Sequence, residues 1–186
     1  DGAAALGRAG FNVISMAGNH CMDWGHEAFF ETKANLEASG IAVVGAGANI
    51  AEARTPALFT LGDGTRVAVL AYSSILPHSY WADERRPGCA PMRAHTVYEQ
   101  IEHDQPGTPA RVHTYPHRED LAAMQADIRA AKQRADVVIV SQHWGIHFVR
   151  AAIADYERDV ARAAVAAGAD AVIGGHAHIL KGCDVI

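Results

Sequence analysis

Three cysteines are all the chain has, and their spacing excludes more than their number does. Cys21, Cys89 and Cys183 are odd in count, far apart and without a Cys-x-x-Cys pair. Neither a zinc ribbon nor a disulfide framework is therefore signalled, and all three read as structural thiols, with Cys21 alone near anything reactive. Basic charge is short as well. Lys and Arg number 16 against 21 Asp and Glu, a formal charge of -5, which argues against a nucleic-acid surface because phosphate backbones demand clustered cations. No apolar run reaches the roughly 18 residues of a membrane-spanning helix, and no signal peptide is visible. An initiating methionine is absent too. The chain opens at Asp1 in an alanine-rich helical stretch and closes at Asp184-Val185-Ile186 in what reads as a strand. The expectation is a piece of a longer protein, incomplete at both ends.

What is present suits a globular fold. Half of the 186 residues are hydrophobic and a fifth are charged, enough for one domain with a sizeable core over residues 1–186. Apolar runs predict strands over 11–16, 41–44, 57–61, 66–72, 136–141 and 170–173. Helical spacing predicts helices over 3–9, 24–39, 117–134 and 155–167. The Gly62-Asp63-Gly64-Thr65 stretch between two β-rich runs predicts a hairpin. Residues 73–116 hold six of the seven prolines and read as a loop-rich excursion over one sheet edge, with a short helix near Thr96–Glu102. Helix, strand and polar loop alternate, so the fold class expected is an α/β sandwich with helices on both sheet faces.

Eleven histidines are many for this length, and five polar residues fall where chemistry is expected. Three strands end alike: one in Gly18-Asn19-His20, one in His143-Trp144-Gly145, and one in Gly174-Gly175-His176-Ala177-His178. Ligands of open α/β sheets bind beyond the carboxyl ends of strands, so Asn19, His20, His143, His176 and His178 are expected to converge. Imidazole nitrogens and an amide oxygen suit zinc, iron or manganese. The two glycines before His176 are read as a sharp turn. Trp144 is expected in the core, His147 at a polar rim, and His26 on a helix surface. His78, His95, His103, His113 and His117 are expected to face solvent. Arg85, Arg86 and Arg93 are read as a solvated loop that an anionic substrate would be able to meet.

These residues resemble a family. Gly18-Asn19-His20, the lone His143 after a strand and Gly175-His176-Ala177-His178 are similar to the last three motifs of the calcineurin-like metallophosphoesterase superfamily. More narrowly, Asn19-His20-Cys21-Met22-Asp23-Trp24-Gly25 is similar to the Asn-His-x-x-Asp-aromatic-Gly element of the CapA family, the bacterial capsule and poly-γ-glutamate biosynthesis proteins. His143-Trp144-Gly145, the lead-in Ala167-Gly168-Ala169-Asp170, and Val44-Gly45-Ala46-Gly47 with Asn49 and Glu52-Ala53 strengthen that likeness.

The resemblance implies a metallophosphoesterase-like sandwich and two divalent metal ions (manganese, iron or zinc). Asn19, His143 and His176 would hold one ion and His178 its neighbour. His20 would contact a phosphoester or protonate its leaving oxygen. Asp23 would either orient His20 or cap the helix that follows. The superfamily's bridging aspartate comes from an earlier strand, and no residue before Asn19 fills that place, so the second metal site is incomplete here. The family often has an acid near the position of His147. The implied function is phosphoester hydrolysis or transfer in the building of an anionic cell-envelope polymer. The implied partners are that polymer and a membrane-bound synthesis complex, with a membrane-anchored or extracytoplasmic address. One rival is a non-catalytic envelope module with a degenerate metal site. Another is an amidohydrolase, which also uses His-x-His. There the pair follows the first strand of an eight-unit barrel, and such a barrel does not fit this length.

Overall fold

A computed structural model describes residues 2–186. Its elements run α1 (Gly2–Arg8), β1 (Val13–Ser15), α2 (Gly25–Ala38), β2 (Ala42–Val44), β3 (Ala46–Gly47), α3 (Ile50–Ala53), β4 (Ala57–Thr60) and β5 (Arg66–Ser73). They continue with a 3-10 turn (His78–Tyr80), β6 (Gly88–Cys89), β7 (Ala94–Glu99), β8 (Arg111–Pro116), α4 (Arg118–Lys132), β9 (Val137–Trp144), α5 (Asp155–Ala167) and β10 (Ala171–His176). The central sheet has the order β10-β9-β5-β4. Its three inner contacts are β10 parallel to β9, β9 parallel to β5, and β5 antiparallel to β4. β1 and β2 form a separate parallel pair.

β5 shows why this is a layered α/β fold. Ala68, Leu70 and Tyr72 pack into one cluster with Met124 and Ile128 of α4, Val160 and Ala164 of α5, and Val138 and Val140 of β9. The alternate residues Val69 and Ala71 pack into a second cluster with Phe29 of α2, Val44 and Ala17. A strand covered on both faces reads as a continuous apolar run, as Val67–Tyr72 does. The layers are therefore α4 and α5, then the sheet, then β1–β2 with α2. This is the α/β sandwich expected. Among the described residues, no helix is long and apolar enough to cross a membrane.

Several elements depart from expectation. The stretch 73–116 is ordered by β6, which pairs antiparallel with β3, and by the β7–β8 antiparallel hairpin. Thr96–Glu99 lies in β7, not in a helix. Thr96, Val97 and Tyr98 are β-branched or aromatic and face Thr114, His113 and Val112 across the hairpin, a combination that suits a pleated surface better than a helix. The tail 184–186 has no regular structure. β9 and β10 both run further than expected, carrying His143 and His176 inside the strands. Gly174 and Gly175 are thus strand residues and not a turn. A Cβ at Gly174 would come within 2.5 Å of Trp144 Nε1, so this glycine leaves room for the indole. Trp144 is half-buried and meets Tyr156 edge-on, the packing role expected of it.

The polar groups behind the sheet are paired. Arg54 binds Asp127 through two hydrogen bonds of 2.6 and 2.7 Å, and Tyr72 donates to the same carboxylate at 2.9 Å. Asn49 accepts from the Glu52 backbone N–H while the Glu52 carboxylate accepts from Ala48 N–H. That reciprocal cap explains why the Asn49 and Glu52 part of the family-like motif sits at the start of α3.

Candidate functional site

The parallel register sets the site. Ser73 and Gly175 flank His143 on its two sides in the sheet, and His176 lies opposite Trp144. β1 ends just across from them and delivers Asn19. Asn19 Oδ1 lies 2.8 Å from His143 Nε2, and the His143 ring packs against Gly18. The His143 and His176 ring centroids are 4.8 Å apart. The sheet and the β1 turn therefore bring Asn19, His143 and His176 together, from positions far apart in sequence.

His176 has two features that a loop histidine lacks. Its Nδ1 is buried with no hydrogen-bond partner, and its backbone φ is +87°. His178, Phe148 and Ala151 also have positive φ, and these four are the non-glycine residues with that geometry among the described residues. Left-handed backbone at bulky residues is strained and concentrates at functional sites. Two adjacent loops, 148–151 and 176–178, hold all of it. Phe148 N–H donates to Ala177 O at 2.9 Å, and the Phe148 ring stacks on His178. Lys181 Nζ donates to Val149 O and Ala152 O, fastening the first loop from below. Gly145 has φ +93° and donates to Tyr156 Oη at 2.9 Å. A side chain there would strike the Glu157 carboxylate.

His147 rises from that loop with its ring centroid 5.1 Å from His176 and 6.1 Å from His178. It is exposed, as a rim residue is, and its ring adjoins the histidines of β10. The signal in the sequence was weak: Gly145 turns the chain, which brings His147 toward His176.

His20 sits on the exposed side. Its Nδ1 is 2.6 Å from Asp23 Oδ2. α2 begins at Gly25, with Trp24 in the cap position and no side-chain cap, so Asp23 is engaged with His20 and does not cap the helix. Tyr80 Oη approaches the other Asp23 oxygen at 3.5 Å. Asn19, His20, Asp23, Trp24, Ser141 and His143 line one cleft of about 440 Å³.

Electrostatics favour neutral imidazoles here. Burial, and then the neighbouring His176, His178 and His20, hold His143 down at about 4. His176 is lowered by burial and by His147. Neutral rings keep a lone pair for a hydrogen bond or a metal ion. Among the described residues, however, no three of His, Cys, Asp and Glu stand where they would hold a metal ion.

The remaining expectations divide. His26 and His78 are exposed, His113 pairs with Glu99 at 2.9 Å, and His117 caps α4 through Asp120 N–H. None joins the cluster. Arg93 is not a solvated cation but binds the buried Asp120 through two hydrogen bonds of 2.7 and 2.6 Å. Arg86 pairs with Asp83. Cys89, expected to lie apart from the site, has its Sγ 3.2 Å from Cys21 Sγ. The Cys89 contact draws the Cys21 thiol below its ordinary value, and the same contact with burial pushes Cys89 up.

A family model described as "Bacterial capsule synthesis protein PGA_cap" matches residues 1–186. The chain belongs to that family. Relatives of this PGA_cap chain include the PGA biosynthesis protein CapA of Bacillus subtilis (strain 168), 26% identical over 94% of the chain and 39% of the relative. The capsule biosynthesis protein CapA of Bacillus anthracis is 28% identical over 97% of the chain and 38% of the relative. A probable polyglutamine synthesis accessory protein of Mycobacterium tuberculosis (strain H37Rv) is 35% identical over 72% of the chain and 31% of the relative. The chain thus spans well under half the length of each of these relatives.

Proposed function

We propose that the chain carries part of a two-metal, phosphoesterase-type site used in making or handling an anionic envelope polymer. The observation that carries this reading is the orphaned, buried Nδ1 of His176 beside the Asn19–His143 pair. Buried polar atoms in native proteins have partners, and a divalent ion is a partner that the neighbouring donors also suit. With ligand distances of about 2.1 Å and a right angle between them, two donors on one ion lie about 3 Å apart. The 2.8 Å between Asn19 Oδ1 and His143 Nε2 fits that spacing. Asn19 supplies the third donor through its amide oxygen.

In this reading Asn19, His143 and His176 hold one ion, manganese, iron or zinc. His178 would be a ligand of a neighbouring ion, with the His147 imidazole beside it. Bound ions of this kind supply positive charge to a phosphoryl oxygen and lower the pKa of a bound water. The rest falls to the chain. Asp23 accepts from His20 Nδ1–H, which fixes the tautomer and leaves Nε2 free to hydrogen-bond a substrate oxygen or protonate a leaving one. Neutral His143 and His176 keep the cleft free of their own cationic charge. The names of the relatives, which speak of PGA biosynthesis, capsule biosynthesis and polyglutamine synthesis, support a glutamate polymer as the context, and a membrane-bound synthesis complex is the setting we propose for it.

A second reading is a binding module with a degenerate metal site. It is favoured by the lack of a carboxylate among the clustered donors. Hydrolysis of an aryl phosphoester by the full-length protein, loaded with manganese, separates the two. Activity that falls at least about tenfold in His20→Ala, with metal content unchanged, is expected for a general acid. Metal-loaded protein without hydrolysis of any phosphoester would leave the binding module standing.

A further inference from the structure

We infer that Cys21 and Cys89 form a reversible disulfide that fastens the turn bearing Asn19, His20 and Asp23 to the β3–β6 layer beneath it. The two residues are 68 apart in sequence, yet their sulfurs are 3.2 Å apart. They have to close by about 1.2 Å to reach the bonded length of about 2.0 Å. The third cysteine, Cys183, is exposed in the tail.

The two sides of the contact differ in a way that suits a switch. Cys89 is fully buried and its strand is pinned: it pairs with Ala46, its carbonyl accepts from Ala82 N–H at 3.0 Å, and Ala90 N–H donates to Gly45 O at 3.0 Å. Its Sγ also lies 3.3 Å from Met16 O, at the end of β1. Cys21 is half-buried, lines the cleft, and sits in a turn closed by its own N–H to Gly18 O at 3.1 Å. A rigid buried thiol and a reachable one are held together without a bond. His20 precedes Cys21, so a cross-link there acts on the part of the site that faces substrate.

The oxidant is a small-molecule disulfide entering by the cleft. The Cys21 sulfur attacks it, forming a mixed disulfide and releasing one small thiol, which takes the Cys21 proton. Cys89 then attacks the Cys21 sulfur, expelling the second small thiol with the Cys89 proton. The two protein thiols lose two electrons, and the small disulfide gains them. Excess small thiol runs both steps backward.

The test equilibrates the chain in buffers of varied small thiol and disulfide, quenches exchange with acid, unfolds the chain in urea, blocks remaining thiols by alkylation, and digests with trypsin. Cleavage after Arg8, Lys33, Arg85, Arg93 and Lys181 leaves the three cysteines on three peptides. The linked Cys21–Cys89 peptide is expected to rise with oxidant and vanish on reduction. Cys183→Ser is expected to leave it intact and Cys21→Ser to abolish it, with circular dichroism confirming that both variants fold. Amide exchange across 18–24 is expected to slow by about tenfold on oxidation. Cys21 and Cys89 staying alkylatable in buffers that cap Cys183, or pairing with Cys183, would overturn the inference. The readout is covalent, so it fails or succeeds independently of whether the histidines hold metal.

Discussion

Two regions near the carboxyl end of the same sheet treat polar groups differently. Behind it and toward its α4–α5 side, Arg54, Asp127 and Tyr72 close a three-way network, and Arg93 meets Asp120 with both arms. At and beyond the carboxyl ends of β9 and β10, His176 keeps a buried nitrogen without a partner, and four non-glycine residues, three of them bulky, hold left-handed backbone. The first is paired apart from Gln142 Oε1, buried against α4 without a partner, and its backbone is relaxed. The other is unsatisfied and strained, which folding alone does not explain, because relieving either feature would stabilise the chain. On the proposed reading, the difference separates structure kept for the fold from structure kept for a ligand.

The contrast breaks most visibly in the paired region. Asp127→Ala removes the carboxylate shared by Arg54 and Tyr72, leaving a half-buried guanidinium with only its 3.0 Å bond to Ala123 O and a buried hydroxyl unpaired. A loss of about 3 kcal/mol is expected in urea unfolding. A loss under about 1 kcal/mol would show the network to be no better than a surface pair.

A smaller effect comes from pH. Folded His143 titrates at about 4, against 6.5 for an unperturbed imidazole. Between these values the unfolded chain binds the proton and the folded chain does not, so stability is lost as pH falls from about 6.5 to about 4 and this contribution levels off below. His176 is lowered in the same direction and adds to the slope. The melting temperature is expected to fall across that window, and less steeply in His143→Gln. Equal slopes in both proteins would remove His143 from the account.

Much of this was legible in the sequence, and for identifiable reasons. β5 and β9 are apolar on both faces, and the polar residues that follow the apolar runs of β1, β9 and β10 marked the candidate cluster. The hairpin β7–β8 was missed because Thr96–Glu102 is bounded by no tight turn, and its alternation is short enough to pass for helix. Asp23 stayed open because one carboxylate three residues from His20 can serve either a ring or a helix start. Only the position of Gly25 as the first helical residue decides between them. The contact between Cys21 and Cys89, and the place of His147 between His176 and His178, depend on loops folding back across the sheet. No local pattern carries that information.

The central claim is that the strained end is built for a divalent ion. Calorimetric titration of manganese or zinc into the chain tests it most directly, with His176→Ala alongside. Binding that weakens at least about tenfold in the variant, while unfolding free energy moves by less than about 1 kcal/mol, is the expected result. No binding to the parent chain, or equal binding to both, would contradict it.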